Sequence, residues 1–336
     1  MSKRRLFVLV ELAVIAVLVV NIIIIARRSR AKKESPAGAG TETAALEPEG
    51  VIGLSVLTSG NPFFNDIADA MEAEAEKHNY DVIVKSGEFD PARQKDQVSD
   101  FIVNKVSAIV LCPCDSKSVG TSIAEANKAG IPVFTADIAC LAQGPKVVCH
   151  IASDNYEGGC QAARAVIEAI DGKGTVAIID HPEVESVISR TKGFVEELAR
   201  ARAREGVDIE IVATLPGHGE QAAAFKAAED ILQAHPDLDA FFAINDPSAM
   251  GAVAAIEKAG KAGKIQIVGF DGNAQARQAI KDGKIYADAI QHPREIGKRT
   301  VEIVMKYMAA EELPPEILIP TSLYRKSDAE KDPTLR

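Results

Sequence analysis

Short apolar runs alternate with amphipathic helical stretches from residue 51 to about residue 324, and this alternation constrains the fold more than any other feature of the chain. The first unit sets the pattern. Residues 51–57 are apolar on both faces and short enough for a strand, and Thr58-Ser59-Gly60-Asn61-Pro62 breaks the run. A helix follows in which Ile67, Ala68, Met71 and Ala75 share one face, while Asp69, Glu72, Glu74, Glu76 and Lys77 take the other. Strands buried on both faces and joined through helices belong in a parallel sheet with right-handed crossovers.

The pattern recurs with strands at 81–84, 108–111 and 132–135 and helices at 91–104 and 118–129. It restarts at His150, with helices at 156–170, 193–203, 220–234, 248–259 and 294–310. Strands are expected between them at 174–180, 208–213, 240–244, 265–270 and 285–290, with a final one at 316–324. The implied class is α/β, with two doubly wound lobes in series. A cleft then lies between the strand ends, where helix N-termini converge and small molecules bind.

Residues 1–50 are a different material. Lys3-Arg4-Arg5 precedes an apolar run at 6–26, interrupted only by Glu11 and Asn21 and long enough to cross a bilayer as a helix. The run ends in Arg27-Arg28-Ser29-Arg30-Ala31-Lys32-Lys33 rather than in small residues, so residues 1–33 read as an uncleaved signal anchor. No cysteine directly follows it, which excludes a lipidated N-terminus. The heavier basic flank is the C-terminal one, which by the positive-inside rule argues for a cytoplasmic domain and conflicts with the function implied below. Residues 34–50, rich in Ala, Gly, Glu and Pro, read as a flexible tether. A formal net charge of -10 argues against a nucleic-acid partner.

The strand ends carry Asn61-Pro62-Phe63-Phe64, His150-Ile151-Ala152-Ser153-Asp154-Asn155, Ala234-His235-Pro236-Asp237, Phe242-Ala243-Ile244-Asn245-Asp246, Val268-Gly269-Phe270-Asp271-Gly272 and Ala289-Ile290-Gln291. In this order they resemble the ribose-binding-protein-like sugar-binding group of the type I periplasmic solute-binding proteins of ABC transporters. The resemblance implies two Rossmann-like lobes joined by a three-segment hinge, 51–152 plus 292–317 and 153–291 plus 318–326, followed by a tail at 327–336. It also implies an extracytoplasmic, monomeric binding domain that closes on a monosaccharide or polyol and presents it to an ABC permease, without cofactor or covalent chemistry. By its N-terminal helix the domain would be tethered to the membrane, or secreted if that helix is cut.

A sugar offers an apolar ring face and a belt of hydroxyls, so a dry site needs aromatic walls and planar polar groups. By the resemblance, Phe63 and Phe64 match the stacking wall, and Asn61, Asn245 and Gln291 match amides. Asp137 and Asp271 match hydroxyl-accepting carboxylates, and Arg190 matches a guanidinium that offsets their charge. Each has a bland reading alone: Phe-Phe as core, Asp271-Gly272 as a turn, Arg190 as a solvated charge, Asn245 as a helix cap and Gln291 as loop. Their convergence on strand ends of both lobes favours the site.

Three positions depart from the ribose-type pattern. Cys112 stands for an Asn, Ile138 for an Arg, and Gly219 for an aromatic whose room His218 can fill. The loss of a cation at Ile138 leaves Asp137 and Asp271 outweighing Arg190 by one charge, and points away from ribose itself toward another monosaccharide, a polyol or an amine-bearing sugar. Among the cysteines, Cys140 and Cys149 bracket a short loop and are the expected disulfide. Cys112-Pro113-Cys114 with His218 lacks the two-residue spacing of common zinc sites, so no metal is expected. No Gly-rich phosphate loop or nucleophile elbow ends a strand, which argues against an enzyme. A membrane-anchored sugar sensor would use the same capture step, whereas a sugar-responsive repressor needs a helix-turn-helix where the membrane span sits. Phe63→Ala or Arg190→Ala is expected to weaken binding more than about tenfold with little loss of stability.

Overall fold

The computed structural model describes residues 48–336. The expected membrane span at 6–26, its basic flanks and nearly all of the tether lie outside the described residues. Among the described residues no helix is long and apolar enough to cross a membrane.

The first half of the described chain runs β1 (Gly50–Val56), α1 (Pro62–Glu76), β2 (Tyr80–Ser86), α2 (Pro91–Val103), β3 (Ala108–Leu111), α3 (Gly120–Lys128), β4 (Val133–Ala136) and β5 (His150–Ser153). Then follow α4 (Asn155–Ala169), β6 (Lys173–Asp180), α5 (Glu185–Glu205), β7 (Asp208–Pro216), α6 (Gln221–Ala234), β8 (Ala240–Ala243), α7 (Asp246–Lys258), β9 (Gln266–Asp271) and α8 (Ala274–Lys281). The chain ends with β10 (Ala287–Ile290), α9 (Pro293–Met308), β11 (Glu316–Ile319), β12 (Ser322–Arg325) and α10 (Lys326–Ala329).

The strands form two six-stranded sheets, ordered β11-β5-β4-β3-β1-β2 and β12-β10-β9-β8-β6-β7. Every pairing is parallel except β10 with β12. The chain changes sheet three times: between β5 and α4, between β10 and α9, and between β11 and β12. The result is two doubly wound α/β lobes joined by three crossings, the architecture that the resemblance implies.

Alternation explains the faces of the first sheet. Ile52, Leu54, Val110, Phe134 and Ile151 bury one side, while Ile109, Leu111 and Val133 pack with Val98, Phe101 and Ile123 on the other. Each fully buried side chain of this size contributes about 1.5–3 kcal/mol. Cys149 belongs to the first face and Cys140 to the second, and both are free thiols. The expected disulfide is not formed: the two side chains pack into different apolar clusters.

Three further expectations are corrected, and two features are added to them. The final strand at 316–324 is two strands in different sheets, broken at Pro320, which has no N–H to extend a ladder. Ser153, Leu318 and Ile319 consequently pair within the first sheet, one or two residues past the expected lobe boundaries. Helix α5 begins at Glu185 rather than 193, its free N–H groups partly satisfied by Ser116 Oγ, which accepts from Glu185 N at 2.8 Å. The tail at 327–336 folds onto the second lobe, where Asp332 accepts from Tyr324 Oη at 3.0 Å and Leu335 joins the apolar cluster. Helix α8, not among the expected helices, is capped by Asn273, whose Oδ1 accepts from Ala276 N at 2.9 Å.

Candidate functional site

The first lobe supplies a wall of rings. Asn61 Oδ1 accepts from Phe63 N at 3.0 Å and starts α1, with Pro62 in the first turn. This places Phe63 and Phe64 edge to face, with ring centroids 5.3 Å apart and planes at 87°. Both rings belong to the apolar core and both also line a cavity between the lobes, so the bland reading and the site reading hold together.

The second lobe supplies a hydrogen-bonded network around Arg190. Helices α4 and α5 touch where a Cβ on Gly159 would lie 2.0 Å from Arg190 O, and one on Gly193 would lie 2.0 Å from Tyr156 O. Only glycine permits that approach, and it sets Arg190 over Phe270, with the guanidinium carbon 3.9 Å from the ring centroid. Arg190 Nε donates to Asn155 Oδ1 at 2.8 Å, and Nη1 donates to Ile244 O at 2.8 Å and to Asp271 Oδ1 at 3.4 Å. Gln291 Nε2 donates to the same Asp271 oxygen at 2.7 Å. Asn245 Oδ1 caps α7 by accepting from Ser248 N at 2.9 Å, and its Nδ2 donates to Gly219 O at 3.1 Å.

Two buried acceptors in this space lack partners: Asp137 Oδ1 and Gln291 Oε1. Asp137 follows β4 in the left-handed region, at φ +62°, and Asp271 ends β9 at φ +110°. Such backbone is costly for a residue with a Cβ and is characteristic of positions that aim a side chain into a site. Burial pushes the Asp137 carboxyl up to about 7, with Arg190 opposing and Asp271 and Glu185 adding to the shift. Burial also raises Asp271, opposed first by Arg190 and then by Gln291.

With the lobes shut, the cavity is only about 30 Å³. The structure brings Asn61, Phe63, Phe64, Asp137, Ile138, Arg190, Gly219, Asn245, Asp271 and Gln291 to its lining. It does not bring Cys112 or His218 there. Cys112 is wholly buried among the sheet side chains, where burial and the neighbouring Asp137 charge raise its thiol strongly. The His218 side chain is half exposed and sits 3.7 Å from Glu183 rather than in the room beside Gly219.

That room is closed instead by residues the sequence did not single out, His181, Val184 and Phe89 among them. Phe89 comes from the first lobe. Its loop holds Glu88 and Phe89 at φ +52° and +59°, fixed by hydrogen bonds from Ser86, Ser59 and Thr58 that hold the Glu88 carboxyl down at about 2. The Phe89 and His181 rings then meet across the lobes at 6.1 Å. Burial lowers the His181 imidazole to about 4. The signal available for Phe89 was its place just after β2, since strand ends line clefts in this fold. The lobes are shut in this state: Ser116 N donates to Glu183 O at 3.0 Å, and Asn61 reaches Asp271 across the gap.

Comparison with known proteins places this arrangement. The sequence profile described as periplasmic binding protein domain matches residues 52–312. The ribose import binding protein of Bacillus subtilis is 34% identical over 270 residues, covering 80% of this chain and 85% of that protein. Among solved structures, an ABC transporter periplasmic solute binding protein from Actinobacillus succinogenes with bound D-allose has a TM-score of 0.77 at 30% identity, covering 84% of this chain and all of that one. An ABC transporter solute binding protein from Agrobacterium vitis bound with α-D-tagatopyranose has a TM-score of 0.80 at 27% identity, covering 85% and 97%.

Proposed function

The chain belongs to the periplasmic binding protein domain family, in its ribose-binding-protein-like sugar-binding group, and from that premise we propose that it captures a monosaccharide or related polyol between its lobes and delivers it to an ABC-type permease. The observation that carries the reading is the pair of buried acceptors, Asp137 Oδ1 on the first lobe and Gln291 Oε1 at the end of the second, left without donors beside the Phe63 and Phe64 rings. A buried acceptor without a donor costs about 1–3 kcal/mol. A hydroxylated ring relieves that cost at both oxygens while its apolar face covers the aromatics.

The proteins of this family bind rather than transform their ligands, and the site residues here serve as hydrogen-bonding and stacking groups. Ligands of relatives include D-allose and D-tagatose, which share a pyranose-sized frame and several hydroxyls. Ile138 supports a ligand other than ribose by removing a fork of charged donors from the wall, and Gly219 leaves its own side of the wall to His181 and Phe89. The apolar run at 6–26 is long enough to anchor the domain to a membrane, and it is the sugar-capture reading, against the heavier C-terminal basic flank, that puts the domain on the outer face.

Isothermal titration of the purified full-length chain against ribose, allose, tagatose, myo-inositol and glucosamine tests the reading. One or more of these is expected to bind saturably at micromolar concentration or below. Absence of binding across the panel, together with no sugar or polyol in the mass spectrum of what co-purifies, contradicts it.

A further inference from the structure

The loops after β6 and β7 place three metal-ligating side chains on one lip of the cleft, and sugar capture uses neither Glu183 nor His218. Strands β6 and β7 pair in parallel, so their C-terminal loops emerge side by side from the second sheet. His218 and Gly219, at φ +50° and +71°, turn the second loop back over the first. Glu183 Oε2 then lies 3.6 Å from His181 Nε2 and 3.7 Å from His218 Nδ1. The two imidazoles stand edge to face, with centroids 6.0 Å apart and planes at 79°. All three ligand atoms fall within 4.8 Å of one another.

Those separations are too long for hydrogen bonds. They are close to the spacing of atoms around a shared cation: bonds of about 2.0–2.1 Å put tetrahedral or trigonal ligands roughly 3.3–3.6 Å apart. A second observation points the same way. Glu183 Oε2 is buried and accepts no hydrogen bond, although its residue reaches solvent. A buried carboxylate oxygen facing two imidazole nitrogens beyond hydrogen-bond distance has the composition and spacing of a metal-ligand set.

We propose that His181, Glu183 and His218 bind a divalent transition metal of the zinc class at the mouth of the cleft, through two imidazole nitrogens and one carboxylate oxygen. A two-nitrogen, one-oxygen set suits zinc and leaves a position for water or for a hydroxyl of the guest. His181 also lines the sugar cavity, so the metal would stand at its edge. Its charge would offset the excess of Asp137, Asp271 and Glu183 over Arg190 around the cleft. All three ligands belong to one lobe, so the set persists when the lobes part, while the Glu183 carbonyl accepts from Ser116 of the other lobe when they shut.

The test uses the full-length chain, stripped with chelator and free of sugar, titrated with Zn²⁺ against a chromogenic competitor. The expected result is one saturable Zn²⁺ per chain, weakened at least tenfold in His218→Ala and in Glu183→Gln and unchanged in His78→Ala. Melting curves confirm that the variants fold, which the exposure of His218 and Glu183 favours. Co²⁺ in place of Zn²⁺ is expected to show ligand-field bands without thiolate charge transfer. Saturable binding that survives both substitutions, a thiolate band from the cysteines, or no saturable binding at all overturns the proposal. Because no sugar is present, each outcome is independent of whether the cavity binds one.

Discussion

The two walls of the cavity are built on different principles. The first lobe contributes shape: Phe63 and Phe64 at the start of α1, Phe89 in a pinned loop, and one carboxylate with a free oxygen. The second contributes a network in which Arg190 is shared among Asn155, the Ile244 carbonyl and Asp271, and Asp271 in turn receives Gln291. A wall of rings tolerates guests of varied outline, whereas a wired wall fixes where hydroxyls must lie. Under the proposed sugar capture, the first lobe would set how strongly a ring is held and the second which ring it is.

Arg190→Ala is the largest expected break in that contrast. It leaves Asp271 buried without its cation and frees the Ile244 carbonyl and Asn155, so stability is expected to fall by about 3–5 kcal/mol, with binding weakened more than about a hundredfold. Urea titration and calorimetry read both. This revises the expectation of little stability loss, because the residue's partners lie within one lobe rather than in the guest.

A second test concerns acids beneath the same wall. Asp246 and Asp288 are fully buried side by side, and burial raises both; the Asp288 charge adds to the rise of Asp246, and the Asp271 charge to that of Asp288, which reaches about 7 although the Asp246 contact opposes it. Both folded values stand above the unfolded ones, so the folded chain keeps protons that the unfolded chain has lost above about pH 4. Stability therefore falls as pH rises from about 4 through 7. Asp288→Asn is expected to add about 1–3 kcal/mol at pH 8 and little at pH 4, measured by denaturation at both. A gain of equal size at both values would show that like charge is not the cause.

Phe63→Leu sharpens the other side. It keeps an apolar group in the core, so stability should change by less than about 1.5 kcal/mol, while loss of the ring face weakens sugar binding about tenfold. Equal loss of stability and affinity would make the ring structural only.

The smallest effect is in pH. Hydroxyls that donate to Asp137 favour its charged form and lower its value from about 7 in the complex, so binding releases protons. Affinity is expected to rise a few-fold from pH 6 to pH 8, and Asp137→Asn is expected to abolish that rise. Titration in buffers of different ionisation heat counts the protons.

The parts of this molecule readable in its sequence are those governed by short-range periodicity. Residues 108–111 are apolar at every position and form β3 over those same residues, because a strand covered on both faces leaves no alternative. What failed depended on distant contacts. The start of α5 is supported by Ser116 from the other lobe, and Cys140 and Cys149 pack into different apolar clusters that sequence spacing does not reveal. Pro320 did mark the break between β11 and β12, a signal present in the chain but read through. For the cavity, residues at strand ends that match family motifs were legible, whereas Phe89 reaches it through two left-handed residues that no pattern announces. His218 was drawn toward the cavity by its neighbour Gly219, but the geometry turns it to Glu183.

A crystal structure of the chain with its sugar bound tests the central claim most directly. The account predicts that ring hydroxyls donate to Asp137 Oδ1 and Gln291 Oε1, with the Phe63 and Phe64 side of the wall against the apolar face. A guest seated elsewhere, or those two oxygens still without donors when the cavity is filled, contradicts it.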